Sequence, residues 1–158
     1  MQLEMKRFQW EFYADYAAWF SDAELNRQLG PMDEDWLESV LNEPVSEGGT
    51  WAVFQSSELV AVIETSFDSQ GQLPAGIRAI AVKPALRQQG IGSAALRQLI
   101  LLHQANDQSS LVTYISATNH AALRFVLKNG FQATTETPDE HGFIEFYYES
   151  YLPEKGMR

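Results

Sequence analysis

Three observations predict an α+β fold. Residues 51–55 and 59–67 are apolar, β-rich runs joined by a tight Ser56-Ser57 turn, and a third such run ends at Val82. From residue 90 the apolar period lengthens to that of a helix. A chain of 158 residues is the size of one ordinary domain and buries a sizeable core. A single domain over 1–158 is therefore expected, an antiparallel meander with helices packed on it.

Residues 3–8 read as a short first strand. Residues 10–20 read as a helix, because Phe12, Tyr16, Trp19 and Phe20 fall at helical spacing, and this aromatic stripe belongs to the core. Leu29-Gly30-Pro31 breaks the chain. A second helix from about 33 to 41 sets Trp36, Leu37, Val40 and Leu41 on one face, giving a helical hairpin over about 10–42. After a loop at 43–49 come the strands 51–55 and 59–67, a turn at 68–72, and the strand ending at Val82. From 90 to 103, Ile91, Ala95, Leu99 and Leu102 recur at i, i+4, i+8 and i+11, the mark of an amphipathic helix covering one sheet face. Residues 111–116 read as a strand, 119–129 as a helix, and 131–135 with 143–148 as a hairpin around Pro138. No repeat or low-complexity tract interrupts this order.

The formal net charge is −10, which argues against a nucleic-acid backbone or an anionic membrane surface as partner. The first fifty residues carry eleven acidic side chains against Lys6, Arg7 and Arg27, a net −8, leaving −2 for the remaining 108. Such an asymmetry serves solubility or a field that attracts a cationic substrate. There is no cysteine, hence no disulfide, thiol nucleophile or zinc-cysteine site, and His103, His120 and His141 do not cluster, so no metal is expected. No apolar run is long enough to span a bilayer and no basic-then-apolar signal pattern opens the chain, so a cytoplasmic location is expected.

The run Arg87-Gln88-Gln89-Gly90-Ile91-Gly92-Ser93 joins the third strand to the amphipathic helix. Two glycines with only Ile91 between them let backbone N–H groups turn inward, and the helix that follows adds unpaired donors and a positive dipole end, a cradle for a pyrophosphate. A GxG pair alone is a weak signal, but about thirty residues later the chain reads Asn119-His120-Ala121-Ala122-Leu123-Arg124-Phe125-Val126-Leu127-Lys128-Asn129-Gly130-Phe131.

With both motifs the chain resembles the GNAT superfamily of acyl-CoA-dependent N-acyltransferases. Arg87, Gly90 and Gly92 match its R/Q-x-x-G-x-G/A pattern, and Asn119, Ala122, Lys128, Gly130 and Phe131 match its N-x-x-A-x-x-x-Y-x-K-x-G-F pattern. Val126 stands in the tyrosine slot. The resemblance implies the order β-α-α-β-β-β-α-β-α-β-β, a mixed, mostly antiparallel sheet of about six to seven strands flanked by about four helices, with the acyl-CoA-binding core over about 74–131. It implies acetyl-CoA as donor and an amine as acceptor, with transfer in a direct ternary complex. The exposed backbone of Ile80, Ala81 and Val82 would pair with the pantetheine arm like another strand. The amides of Gln88, Gln89, Gly90, Ile91, Gly92 and Ser93 would take the pyrophosphate, with Arg87 near the nucleotide phosphates and Asn119 bonded to the arm. Asn119 also reads as a plain helix N-cap and Gly130 as a left-handed C-terminal cap. The family often dimerises, and Tyr147, Tyr148 and Tyr151 near the C-terminus offer a surface for a second copy.

The catalytic acid and base are less legible. Val126 has no proton to give a departing thiolate. Where some members place a carboxylate base, five residues before the motif asparagine, this chain has Tyr114, and residues 74–84, where others place one, contain no Asp or Glu. Glu64 ends an otherwise apolar strand, where burial would raise its pKa toward base duty; it reads more readily as lying at the wet end of the strand or as pairing with Arg78. Tyr114 is a candidate acid, or a strand tyrosine with its hydroxyl at the edge. His120 and His141 are further candidates for acid–base work but read as solvated. The missing groups keep open a second function, a CoA-binding sensor or interaction module without transferase activity. A dinucleotide-binding protein is disfavoured, because only Asp107 lies near the position of the acidic ribose ligand.

Overall fold

A short edge strand, β1 (Glu4–Arg7), opens the chain in the computed structural model, which describes residues 1–44, 48–67, 74–105 and 110–149. Residues 10–20, expected as one helix, form a 3-10 turn (Trp10–Phe12), α1 (Tyr13–Ala18) and a second 3-10 turn (Trp19–Ser21). An unexpected helix, α2 (Ala23–Leu29), follows. The cause is local: Asp22 has an extended backbone, and its carboxylate accepts the Leu25 N–H at 3.0 Å, so a new helix starts there. α3 (Glu34–Asn42) is capped in the same way by Asp33, which accepts the Trp36 N–H at 3.1 Å.

The meander is β2 (Gly48–Gln55), β3 (Glu58–Ser66) and β4 (Ala75–Val82). Ser56 and Ser57 have φ of 51° and 69°, the positive pair of a primed hairpin turn whose twist matches that of the strands. The expected turn at 68–72 lies outside the described residues. After a 3-10 turn at Pro84–Leu86 come α4 (Ile91–Ala105), β5 (Ser110–Ser116), α5 (His120–Lys128), β6 (Gln132–Ala133) and β7 (Phe143–Glu149). The last hairpin turns around Pro138 as expected, and beside it the Asp139 carboxylate accepts the N–H groups of His141 and Phe143. The seven strands form one sheet in the order β1-β2-β3-β4-β5-β7-β6, antiparallel except for β4 beside β5.

Each sheet face has its own core. Val53, Ile63, Ile91, Leu99, Val126 and Phe146 meet on the face covered by α4 and α5. On the other face Phe8, Tyr16, Trp19, Leu25, Val62 and Ala81 pack beneath α1, α2 and α3. Tyr16 is the hub there, edge-on to Phe8, Trp19 and Phe20 with ring centroids 5.9, 5.2 and 5.1 Å away. These helices cover the meander, while β5 and β7 present Tyr114, Glu145 and Tyr147 beyond them on the same face.

His103, 4 % exposed on α4, faces the Leu99 carbonyl with Nδ1 at 3.0 Å. A carbonyl only accepts, so Nδ1 carries the proton and Nε2 is left without a partner among the described residues. Burial lowers its pKa from 6.5, outweighing the bond to Leu99. The unfolded chain then binds the proton more readily, so the native state loses stability as pH falls below about 6.5. His103→Leu is expected to flatten that part of the wild-type stability curve, measured by urea unfolding at a series of pH values.

Candidate active site

β4 and β5 part company, and the site follows from that. Their parallel pairing holds for Ala75–Leu111, Gly76–Val112 and Ile77–Thr113 and goes no further. On the other side of β4, Thr65 faces Ile77 while Glu64 faces Ala79, so Arg78 is a bulge residue that bends the strand. At the parting point the Thr113 hydroxyl donates to the Ile77 carbonyl at 3.0 Å, a side chain standing in for the lost ladder bond.

The ladder to β3 decides which β4 groups face the gap. The Lys83 N–H donates to the Val60 carbonyl at 2.9 Å. Antiparallel pairs alternate, so Ala81 and Ala79 bond to β3 at Val62 and Glu64, while Ile80 and Val82 turn N–H and C=O toward the gap. The expected trio is thereby corrected: Ala81 has its backbone on β3, and Ile80 and Val82 offer theirs.

Because β4 and β5 are parallel, the helices that follow them both start at the open end of the gap. Gln88 and Gly90 have φ of 63° and 83°, which curls the loop before α4. Among the described residues no carbonyl or side chain accepts the N–H groups of Gln88, Gln89, Gly90, Ile91, Gly92 and Ser93; the first bond back into this turn is Ala94 N–H to the Gly90 carbonyl at 3.0 Å. Gly90 is needed for its φ. Gly92 is needed for space, since a Cβ there would lie 3.2 Å from the Phe125 ring and 3.5 Å from Val82. A hydrogen bond to a charged oxygen contributes about 1.5–3 kcal/mol, whereas a helix dipole contributes about 0.3–1 kcal/mol, so the donor array outweighs the dipole. The residues fit a pyrophosphate.

Asn119 caps α5, its Oδ1 accepting the Ala122 N–H at 3.2 Å, which leaves the amide NH₂ as donor beside the gap. Arg87 is directed elsewhere than expected: Nη2 and Nη1 lie 2.6 and 3.2 Å from the two carboxylate oxygens of Asp22. That bond, first, and the Leu25 N–H hold the Asp22 carboxyl below its usual range. Asp22 was not singled out by the sequence; the cap pattern of α2 was its only trace.

On the face beneath α1–α3, Glu64 and Tyr114 stand on opposite sides of the gap. Glu64 is half-buried, and Trp36 Nε1–H donates to its Oε2 at 3.3 Å. Arg78 pairs with Glu43 at 3.1 Å instead. Burial lifts the Glu64 carboxyl above its usual range, with Trp36 and Arg78 pulling the other way. Tyr114, one residue past the last β4–β5 pair, is 54 % exposed and donates its hydroxyl to Glu145 Oε2 at 2.7 Å, and that bond first, then burial, raises its pKa. Val126 is buried in the core under α4. His120 and His141 are exposed. Two clefts, of about 210 and 580 Å³, lie along α4 and α5 outside the gap.

The sequence matches the model of the Acetyltransferase (GNAT) family over residues 5–131. No curated protein matches it. Similar folds include the ribosomal-protein-S18-alanine N-acetyltransferase from Escherichia coli, at 20 % identity, covering 96 % of both chains with a TM-score of 0.72. PaiA N-acetyltransferase from Thermoplasma acidophilum, in complex with coenzyme A, is 19 % identical, covering 94 % of this chain and 99 % of that one, TM-score 0.71. A spermidine N-acetyltransferase chimera from Vibrio cholerae and hSSAT is 12 % identical over 100 % of both chains, TM-score 0.73.

A carboxyl whose pKa is raised on folding stabilises the native state below 4.5 and loses that contribution as pH rises through the folded value. At neutral pH the buried charge of Glu64 is therefore a burden. Glu64→Gln is expected to raise the melting temperature at neutral pH and to lose the advantage in acid; scanning calorimetry at both pH values checks the sign.

Proposed function

Because the chain belongs to the acetyltransferase (GNAT) family, we propose that it moves the acetyl group of acetyl-CoA to a primary amine in one ternary complex. The observation that carries this reading is the convergence at one end of the gap: six unaccepted amides from Gln88 to Ser93, the Asn119 carboxamide, and the outward backbone of Ile80 and Val82. The amides hold the pyrophosphate, and the two β4 residues pair with the pantetheine arm as an added strand. Bound acetyl-CoA supplies an acetyl group already activated as a thioester. Positioning then provides much of the rate.

Glu64 takes a proton from the acceptor ammonium and passes it to solvent, the neutral amine forms the new C–N bond, the nitrogen sheds its second proton to the freed Glu64 carboxylate, and the C–S bond breaks. Tyr114 is the proton source for the thiolate, recovering its proton from solvent at its exposed position. The acceptor enters over the sheet face flanked by α3, where Asp33, Glu34, Asp35, Glu38 and Glu43 gather negative charge. A small cationic metabolite or a peptide amine suits that field. The names of two similar folds, one specifying an alanine and one spermidine, point to the same two classes.

A second reading, a CoA-binding module without turnover, is favoured by one observation: the buried Val126 leaves the usual acid position empty. Thiol release separates the two. With acetyl-CoA present, release is expected when spermidine or an alanyl-terminated peptide is added and not before; no release with any amine would favour the module. Tyr114→Phe and Glu64→Gln should each lower kcat by about a hundredfold with little change in KM for acetyl-CoA, and an unaltered kcat would remove that residue from the mechanism. Added salt should raise KM for the amine more than KM for acetyl-CoA, if the acidic face steers the acceptor.

A further inference from the structure

Trp36 belongs to the aromatic core by composition, yet its one polar atom is on Glu64. The indole Nε1–H donates to Oε2 at 3.3 Å, and the Glu64 carboxylate accepts no other hydrogen bond among the described residues. Everything around the indole fixes it. Its backbone N–H is held by the Asp33 cap at 3.1 Å, and its ring lies 5.2 Å from both Phe8 and Tyr16, edge-on to the first and tilted to the second.

We propose that Trp36 is a positioning residue for the acceptor-side carboxylate: by holding Oε2 it aims Oε1 of Glu64 at the incoming amine. This rests on the reading of Glu64 as base. Donation by an N–H favours the charged form of a carboxylate, and a half-buried carboxylate has few other sources of such help. The surroundings bear this out element by element. From α1, Tyr16 approaches, itself held protonated by burial and by the charge of Glu64. At the end of α3, Glu43 opposes ionisation; from β4, Arg78 favours it but is paired with Glu43. From β2, Thr50 stands directly opposite Glu64, with a buried hydroxyl that has no partner among the described residues. Among the described residues the indole is thus the one donor bonded to the carboxylate, on a ring flanked by Phe8 and Tyr16.

The test replaces Trp36 by benzothienylalanine, an indole isostere with sulfur in place of N–H, and in parallel makes Trp36→Phe. The Glu64 carboxyl is followed by carbon-13 NMR through a pH titration, its resonance assigned by its loss in Glu64→Gln. Loss of the donor should move the midpoint up by about one unit and lower neutral-pH turnover with spermidine or an alanyl peptide, whichever releases thiol, leaving KM for acetyl-CoA unchanged. Leu25→Ala, which loosens the same core from α2 and not through the rings that flank the indole, should lower melting temperature and leave the midpoint in place. An unmoved midpoint in the isostere overturns the proposal even if stability drops. A moved midpoint together with a fully active Glu64→Gln overturns instead the reading of Glu64 as base. Should Trp36→Phe fail to fold, the isostere decides alone.

Discussion

The separation of β4 from β5 is the constraint on which the rest of the structure depends. Backbone N–H and C=O groups inside a sheet need partners, and after Ile77 this sheet withdraws them from one side of β4. The bulge at Arg78 makes the bend, and the Thr113 hydroxyl closes the last carbonyl before it. What stays open is a strand edge in the middle of a seven-stranded sheet, suited to an extended, amide-bearing ligand and to little else. The parallel direction of the two strands places the start of α4 and the start of α5 at the same mouth.

The two faces of that mouth have different chemistry. Toward α4 and α5 it offers neutral donors, the amides of Gln88 to Ser93 and the Asn119 carboxamide, which suit an anion. Toward α1–α3 it carries carboxylates, with Glu64 among them held under Trp36. The acidity of the first fifty residues is concentrated on that side. In the proposed function, a polyanionic donor and a cationic acceptor would have separate approaches to one gap. Arg87 joins the two sides: it reaches from the loop before α4 to Asp22, the cap of α2, and ties the helices of one face to that loop.

Much of this was legible in the sequence, for identifiable reasons. The Ser56-Ser57 hairpin, the apolar runs of the meander and the i, i+4, i+8 recurrence in α4 are local patterns, and local patterns survive without tertiary context. The Gly90 requirement was visible because it rests on its own backbone, whereas the space Gly92 leaves for the Phe125 ring of α5 is non-local. What failed was non-local or rested on a single cap. Nothing in residues 19–22 except Asp22 announces that one helix stops and another starts. The choice between Ala81 and its neighbours depends on register with β3, which no single strand encodes. Glu64 was singled out as a carboxylate on an apolar strand, but its partner came from α3 rather than from Arg78 next door, and Trp36 passed as a core aromatic because its donor atom has no sequence signature.

Amide hydrogen exchange resolved residue by residue, with and without coenzyme A, tests the central claim most directly. The free protein should protect Ala81, whose N–H is bonded to β3, and leave Ile80, Val82 and the amides of 88–93 exchanging fast. Coenzyme A should slow Ile80, Val82 and the loop together and leave Ala81 as it was. Protection that spares Ile80 and Val82, or no change at saturating ligand, would contradict the account, because the open strand edge and the amide loop would then not form one binding site.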